Sequence, residues 1–253
     1  MFWIGKPGAL VRFPVRTFDV SPANPRQLVQ TLGGKFRQIP LGFRPPRVWN
    51  LSLGTSQGLT LEEVSAIRSV IELETVHVFA EHALRTNLFT PAQARFEGVE
   101  DPDWTRSDTP LGWAGWRLES SPDYNGYYNF PPVVVRPGLD LTFMCPVSNI
   151  YTGQASAYFL DAEGESLSSL YIPRVGSYMV GDFTVPENCA FVQMTVATPD
   201  DIGAPVLASN VSGFREGDGV GECILDFPIW AQPWRTDVPF LTSSFTLREV
   251  SGA

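Results

Sequence analysis

The stretch TLEEVSAIRSVIELETVHVFAEHALRTNLFTP, residues 60–91, sets the tightest limits on what this chain can fold into. Thr60 can cap a helix, and Glu63 stands three residues on. That is the spacing of a capping box, in which the hydroxyl and the carboxylate each take an orphan amide. Leu61, Val64, Ile67 and Ile71 recur three or four apart and make one apolar stripe. Glu62 and Glu63 suit the positive end of a helix dipole. The pattern predicts a helix over 61–73. Val76, Val78 and Ala80 then alternate as a strand, with His77 on the opposite face.

The residues before this helix read as strands and a loop. In ALVRFPVRTF, Val11, Phe13 and Val15 alternate with Arg12, Pro14 and Arg16, and Pro14 implies an edge or a bulge. Residues 19–46 contain Pro22, Pro25 and Gly33-Gly34, which predict a long loop with a hairpin turn at the glycines. In RVWNLSL, Trp49, Leu51 and Leu53 share one strand face, opposite Asn50 and Ser52.

After Pro91 the texture changes. Residues 97–123 are rich in Asp, Pro, Gly and Trp, and imply irregular backbone. Short strands then follow at roughly ten-residue spacing, the signature of a sandwich. Leu141, Phe143, Cys145 and Val147 line one face, as do Ala155, Ala157 and Phe159 before a turn at DAEG. In CAFVQMTVAT, Phe191, Gln193 and Thr195 lie opposite Val192, Met194 and Val196. A polar break at 209–222 precedes ECILDFPIW and the closing LTSSFTLREV, whose Leu241, Phe245 and Leu247 form an apolar face. The expected architecture is mainly β. A small framework domain with one helix, residues 1–97 and 219–253, carries an inserted β-sandwich at 98–218. Insertion is easy where chain ends lie close together.

Composition removes several function classes. The formal net charge is −9 with no basic block, which speaks against nucleic acid and against an anionic membrane surface. No apolar run approaches the ~20 residues of a spanning helix, and MFWIGKPGALVRFP has no signal-peptide pattern. Cys145, Cys189 and Cys223 sit in apolar runs and read as buried free thiols, their odd number favouring a reducing compartment. The expectation is synthesis and retention in a cytoplasm until assembly. His77 and His82, with three scattered cysteines, provide no zinc spacing. There is no GxSxG elbow, no phosphate loop and no calcium loop. No cofactor and no enzymatic activity are expected, although two acids across a cleft, as in glycosidases, escape sequence patterns.

Aromatic residues remain. Trp104, Trp113, Trp116, Tyr124, Tyr127 and Tyr128 cluster near the start of the sandwich, beside Asn and Asp. Such a group serves as sugar-stacking platforms, as anchors of a protein interface, or as packing within the domain. Trp113, Trp116, Tyr124 and Tyr127 are the candidates for a glycan or protein contact.

The strand, helix and strand up to Asn87-Leu88-Phe89-Thr90-Pro91, together with the closing SSFTLREV, resemble the framework of the distal tail (minor tail) proteins of siphovirus-like phages. The resemblance implies a belt that closes into a hexameric ring joining the tail tube to the tip or baseplate. It also implies an outward sandwich of galectin-like or carbohydrate-binding-module-like type. Val11, Phe13, Phe36 and Phe43 are then candidates for the ring interface, whose closure demands that one patch meet a different one. The implied partners are copies of itself, the tail tube protein, tip or baseplate hub proteins and a host surface glycan. The implied location is the virion's tail tip. A carbohydrate-binding adhesion module is the rival reading.

Overall fold

The computed structural model describes residues 2–21, 26–30, 36–40, 47–54, 59–80, 87–99, 101, 103–107, 111, 117–120, 126–148, 153–198, 200–209, 222–226, 229–231 and 242–250. Its first elements are β1 (Phe2–Lys6), β2 (Ala9–Phe13), β3 (Val15–Ser21), β4 (Arg26–Gln30), β5 (Phe36–Pro40), β6 (Val48–Leu53), α1 (Leu61–Ile71) and β7 (Val76–Ala80). The middle comprises α2 (Pro91–Ala94), β8 (Trp104–Ser107), β9 (Arg117–Ser120), β10 (Tyr127–Asn129), β11 (Val133–Val134), β12 (Asp140–Pro146), β13 (Gln154–Leu160) and β14 (Ser166–Ile172). Last come β15 (Arg174–Val175), β16 (Tyr178–Thr184), β17 (Phe191–Ala197), β18 (Ile202–Gly203), β19 (Val206–Ala208), β20 (Glu222–Leu225), β21 (Ile229–Ala231) and β22 (Thr242–Glu249). The protein is mainly β, with antiparallel sheets.

The chain forms two compact units, Phe13–Val76 with Glu222–Ala253 and Met1–Arg12 with His77–Gly221. In the first, which we call the scaffold, the strand order runs β20-β22-β6-β3, and β21 also pairs β22. Trp49, Leu51, Leu53, Phe245 and Leu247 are buried, as period-two alternation requires. Pro14 interrupts the N-terminal run: β2 stops before it, and β3 starts after it with a register shift at Val15/Thr17. β4 and β5 pair as a hairpin from Arg26↔Pro40 to Gln30↔Phe36, bracketing the two glycines, which lie outside the described residues.

Thr60 caps α1 with both arms of the capping box: the Glu63 amide donates to Thr60 Oγ1 (3.2 Å) and the Thr60 amide to Glu63 Oε2 (2.8 Å). The buried stripe is Val64, Ile67 and Val70. Leu61 does not belong to it: at the first helical position it points to solvent and is 71% exposed. Arg47 clasps the end of β22. Its backbone amide and Nε donate to Glu249 Oε2 (both 3.1 Å), its Nη2 donates to Oε1 (2.8 Å), and its guanidinium lies 4.6 Å from the Trp49 ring centre.

The second unit is the sandwich. One sheet has the order β10-β17-β13-β14, with β11 also on β17; the other is β15-β16-β12-β19. Leu141, Phe143, Cys145, Ala155, Ala157, Phe159, Val192, Met194 and Val196 fill the space between them. A smaller sheet β18-β9-β8 and the run β2-β1-β7 complete the unit.

The expected boundary at 97/98 is therefore corrected: residues 1–12 and 77–97 belong with the sandwich. β1 pairs β7 from Phe2↔Ala80 to Gly5↔His77. Phe79, Leu88, Phe89, Ala94 and Phe96 sit in the sandwich's apolar core. Asn87 is fully buried and clips its segment to β19: Nδ2 donates to the Pro205 carbonyl (2.9 Å), and Oδ1 accepts from the amides of Phe89 (3.2 Å) and Leu207 (3.0 Å). Thr90 and Gln93 then form a second capping box at α2, with Pro91 at the helix's first position.

Candidate functional site

Alternation decides what the five-stranded sheet shows to solvent. Because Ala155, Ala157 and Phe159 point inward, Gln154, Ser156 and Tyr158 fall on the outer face of β13. On β17 the inward set is Val192, Met194 and Val196, so Gln193, Thr195 and Ala197 lie on the other face, where Gln193 and Ala197 are half-buried and Thr195 is buried. Register then aligns side chains across strands. Tyr171, Ser156, Thr195 and Asn129 form one row across β14, β13, β17 and β10. Ser169, Tyr158 and Gln193 form the next row, and on the far side Gln154, Ala197 and Tyr127 form a third.

Three tyrosines stand on this face, Tyr127 at 58%, Tyr158 at 37% and Tyr171 at 58% exposure. Tyr158 and Tyr171 are diagonal neighbours, about 7–8 Å apart. Tyr127 lies three strands from β14, about 15 Å across the sheet. Between them are hydroxyls and amides. Thr195 donates to Asn129 Oδ1 (2.7 Å), and Gln193 Nε2 donates to the Phe130 carbonyl (3.3 Å). The Asn129 amide nitrogen has no partner among the described residues and is free to donate outward. None of the ten side chains in these rows is charged. The face offers rings to stack against and neutral groups to hydrogen-bond, the combination that suits an uncharged polyhydroxyl ligand. Among the described residues these rows hold no carboxylate.

Of the aromatic candidates from sequence, Tyr127 lies on this face, and Trp113, Trp116 and Tyr124 lie outside the described residues. Trp104 and Tyr128 are core residues, packed edge to face with ring centres 5.6 Å apart. Burial, with a smaller contribution from Asp101, pushes the Tyr128 phenol up to about 12, so it stays protonated. Tyr158 and Tyr171 were missed. The alternation in QASAYFL carried the signal for Tyr158, whereas SLSSLYI has no alternation to read.

The ring candidates fare unevenly. Val11 is half-buried on β2, Phe36 opens β5, and Phe43 lies outside the described residues. Phe13 is corrected to a core residue: it is fully buried, with its ring edge-on to Phe245 at 5.8 Å. His77 packs edge-on to Phe191 at 6.3 Å, and His82 lies outside the described residues. The three cysteines are buried free thiols. Among the described residues no three His, Cys, Asp or Glu side chains converge as a metal site. The scaffold has an open groove of about 470 Å³ lined by Thr17, Phe18, Asp19, Asn50, Ser52 and Thr246, with the half-exposed Phe18 as its accessible ring.

No protein-family model and no curated protein matches this chain. Solved structures that resemble part of it include the following three. The enzymatically active domain of tailspike protein 4 from bacteriophage CBA120 is 16% identical over 48% of this chain and 21% of its own length, with a TM-score of 0.37. The CBM22-1–GH10 modules of Clostridium thermocellum xylanase 10B, complexed with xylohexaose, are 14% identical over 44% of this chain and 25% of theirs, TM-score 0.31. A carbohydrate-binding module of Cellvibrio mixtus lichenase 5A, in complex with cellotriose, is 13% identical over 46% of this chain and 94% of its own, TM-score 0.30. This chain spans about a fifth of the tailspike chain it matches.

Proposed function

We propose that this chain is a non-catalytic structural component of the distal end of a phage tail. The scaffold closes into a ring that joins tube to tip, and the sandwich is carried as an accessory. The observation that supports this reading is the place of β22. It comes from the far end of the chain, yet it runs between β6 and β20, so β3 and β6 share one sheet with β20, β21 and β22. That sheet releases the sandwich and takes the chain back, the discontinuous plan that the resemblance to distal tail proteins implies. β3 ends the scaffold's strand order and carries Phe18 at 48% exposure, a surface that a neighbouring copy would cover. Tail tube and hub proteins are the further partners of this reading. Cryo-imaging of assembled particles tests it. Density for this chain in a ring at the tube–tip junction is expected, and density anywhere else on the particle refutes it.

A second reading, glycan binding by the sandwich, is favoured by the tyrosine-studded neutral face of the five-stranded sheet. Neutral oligosaccharides should shift the NMR signals of Gln193, Thr195 and Asn129, and Tyr127→Ala and Tyr158→Ala should each abolish the shifts. Shifts confined to other surfaces would reject the face as the site.

A further inference from the structure

The free edge of the sandwich has a composition that natural edges avoid. Among the described residues β14 ends its sheet and is bonded only to β13. Its residues Ser166–Tyr171 are all exposed, with Leu167 at 44%, Leu170 at 39% and Tyr171 at 58%. The sequence SLSSLYI contains no charge, proline or glycine. An edge of this kind, with its row of backbone donors and acceptors unblocked, is a template for another strand. After Pro173 the chain enters β15, which ends the other sheet and exposes Val175 at 60%.

The flanking charges say which strand fits. N-terminal to β14 the turn is acidic: Asp161 Oδ1 accepts from the amides of Glu163 (3.1 Å) and Glu165 (2.8 Å), and both glutamates are exposed. C-terminal to β14 stands Arg174. Its Nε donates to the Gly176 carbonyl (3.0 Å), but Nη1 and Nη2 are shut off from solvent and have no acceptor among the described residues. An antiparallel pair of β14 strands centred on Ser169 brings Arg174 of each copy opposite Gly164 of the other, between Glu163 and Glu165. The neutral strands meet in the middle, and an Arg–Glu contact closes each end. A parallel in-register pair would set Arg174 beside Arg174 and acidic turn beside acidic turn.

From this self-complementary order we infer that β14 is a dimerisation edge, on which the sandwiches of two copies of this chain join their sheets across a twofold axis. The contact is isologous and lies in the sandwich, so it is separate from ring closure by the scaffold. Turning Arg174 outward gives its two orphaned nitrogens carboxylate acceptors.

Native mass spectrometry and sedimentation equilibrium of the full chain test the inference. The wild type should form dimers, or even-numbered complexes if the scaffold also assembles. Leu170→Lys, which sets two cations in the joint, should abolish the pairing. Arg174→Glu should weaken it about tenfold or more, as should Glu163→Lys with Glu165→Lys. Combining all three charge changes should restore it, because the swap rebuilds each end. Leu170, Glu163 and Glu165 are exposed and Arg174 is half-buried, and circular dichroism checks that each variant is folded. A wild type that stays monomeric at every concentration, association indifferent to Leu170→Lys and Arg174→Glu, or a folded charge-swapped chain that does not recover would each overturn the proposal. A wild-type monomer that captures only a foreign strand on β14 would do so too.

Discussion

Replacing Asn87 with alanine should unlock the sandwich from within. The side chain is fully buried and satisfies three backbone groups, the Pro205 carbonyl and the amides of Phe89 and Leu207. Beside it the Leu88 amide donates to the Leu207 carbonyl at 2.7 Å, so this is where residues 87–90 are stitched to β19. Alanine leaves two amides and one carbonyl without their side-chain partner in a place the solvent does not reach. Each orphaned buried group costs about 1–3 kcal/mol. Allowing for relaxation or an entering water, the sum is about 3–6 kcal/mol, a large part of the ~5–15 kcal/mol that holds a domain folded. Thr90→Ala supplies the scale, since loss of an N-cap costs about 1 kcal/mol. Denaturant unfolding followed by circular dichroism measures the loss, and hydrogen exchange at the Leu207 amide locates it. The expected result is a destabilised sandwich transition and lost protection at Leu207. A loss below about 1 kcal/mol, with the Leu207 amide still protected, would refute the assignment of residues 87–97 to the sandwich.

Other perturbations probe different parts of the molecule. Phe13→Ala should cost about 3–5 kcal/mol in the isolated chain, by opening a cavity against Phe245; a loss seen only on assembly would return Phe13 to an interface. Arg47→Ala should destabilise the scaffold by about 3–5 kcal/mol, because it leaves the nearly buried Glu249 carboxylate without its fork, and thermal unfolding reads the change. Burial first, and then the Glu249 charge, push the Cys223 thiol up to about 12; burial likewise raises Cys145. A raised folded value means that stability is fully present below the ordinary thiol range and declines as pH climbs from about 9 towards 12. Thiol reagents at pH 8 should therefore label these two cysteines only after unfolding, as mass spectrometry of the labelled chain can check. Tyr127→Ala and Tyr158→Ala should change folding stability by less than about 0.5 kcal/mol, since both side chains are exposed.

Much of the architecture was written locally. The capping box at Thr60 and Glu63 formed as spaced, because it depends on residues within one helical turn. The alternating runs around Trp49, Phe143, Ala157 and Met194 buried the faces that period two assigns. A second local signal, Thr-Pro-Ala-Gln at 90–93, was equally legible and was passed over; it starts α2. Local pattern misassigned Leu61, because a stripe names a face without saying what lies against it, whereas Phe13, an interface candidate only through the resemblance, sits on the apolar side its alternation marks.

The amino-acid order thus determined which residues form helix and strand, where turns break them and which side of each strand is apolar. Those properties depend on neighbours only a few positions away. Tertiary structure alone decided that Asn87 reaches Pro205 and Leu207, that β22 lies between β6 and β20, and that β10, β17, β13 and β14 stand side by side. Backbone hydrogen bonds between strands are indifferent to side-chain identity. Order and register are settled by how whole faces pack together, and that is how three tyrosines from distant segments came to share one surface.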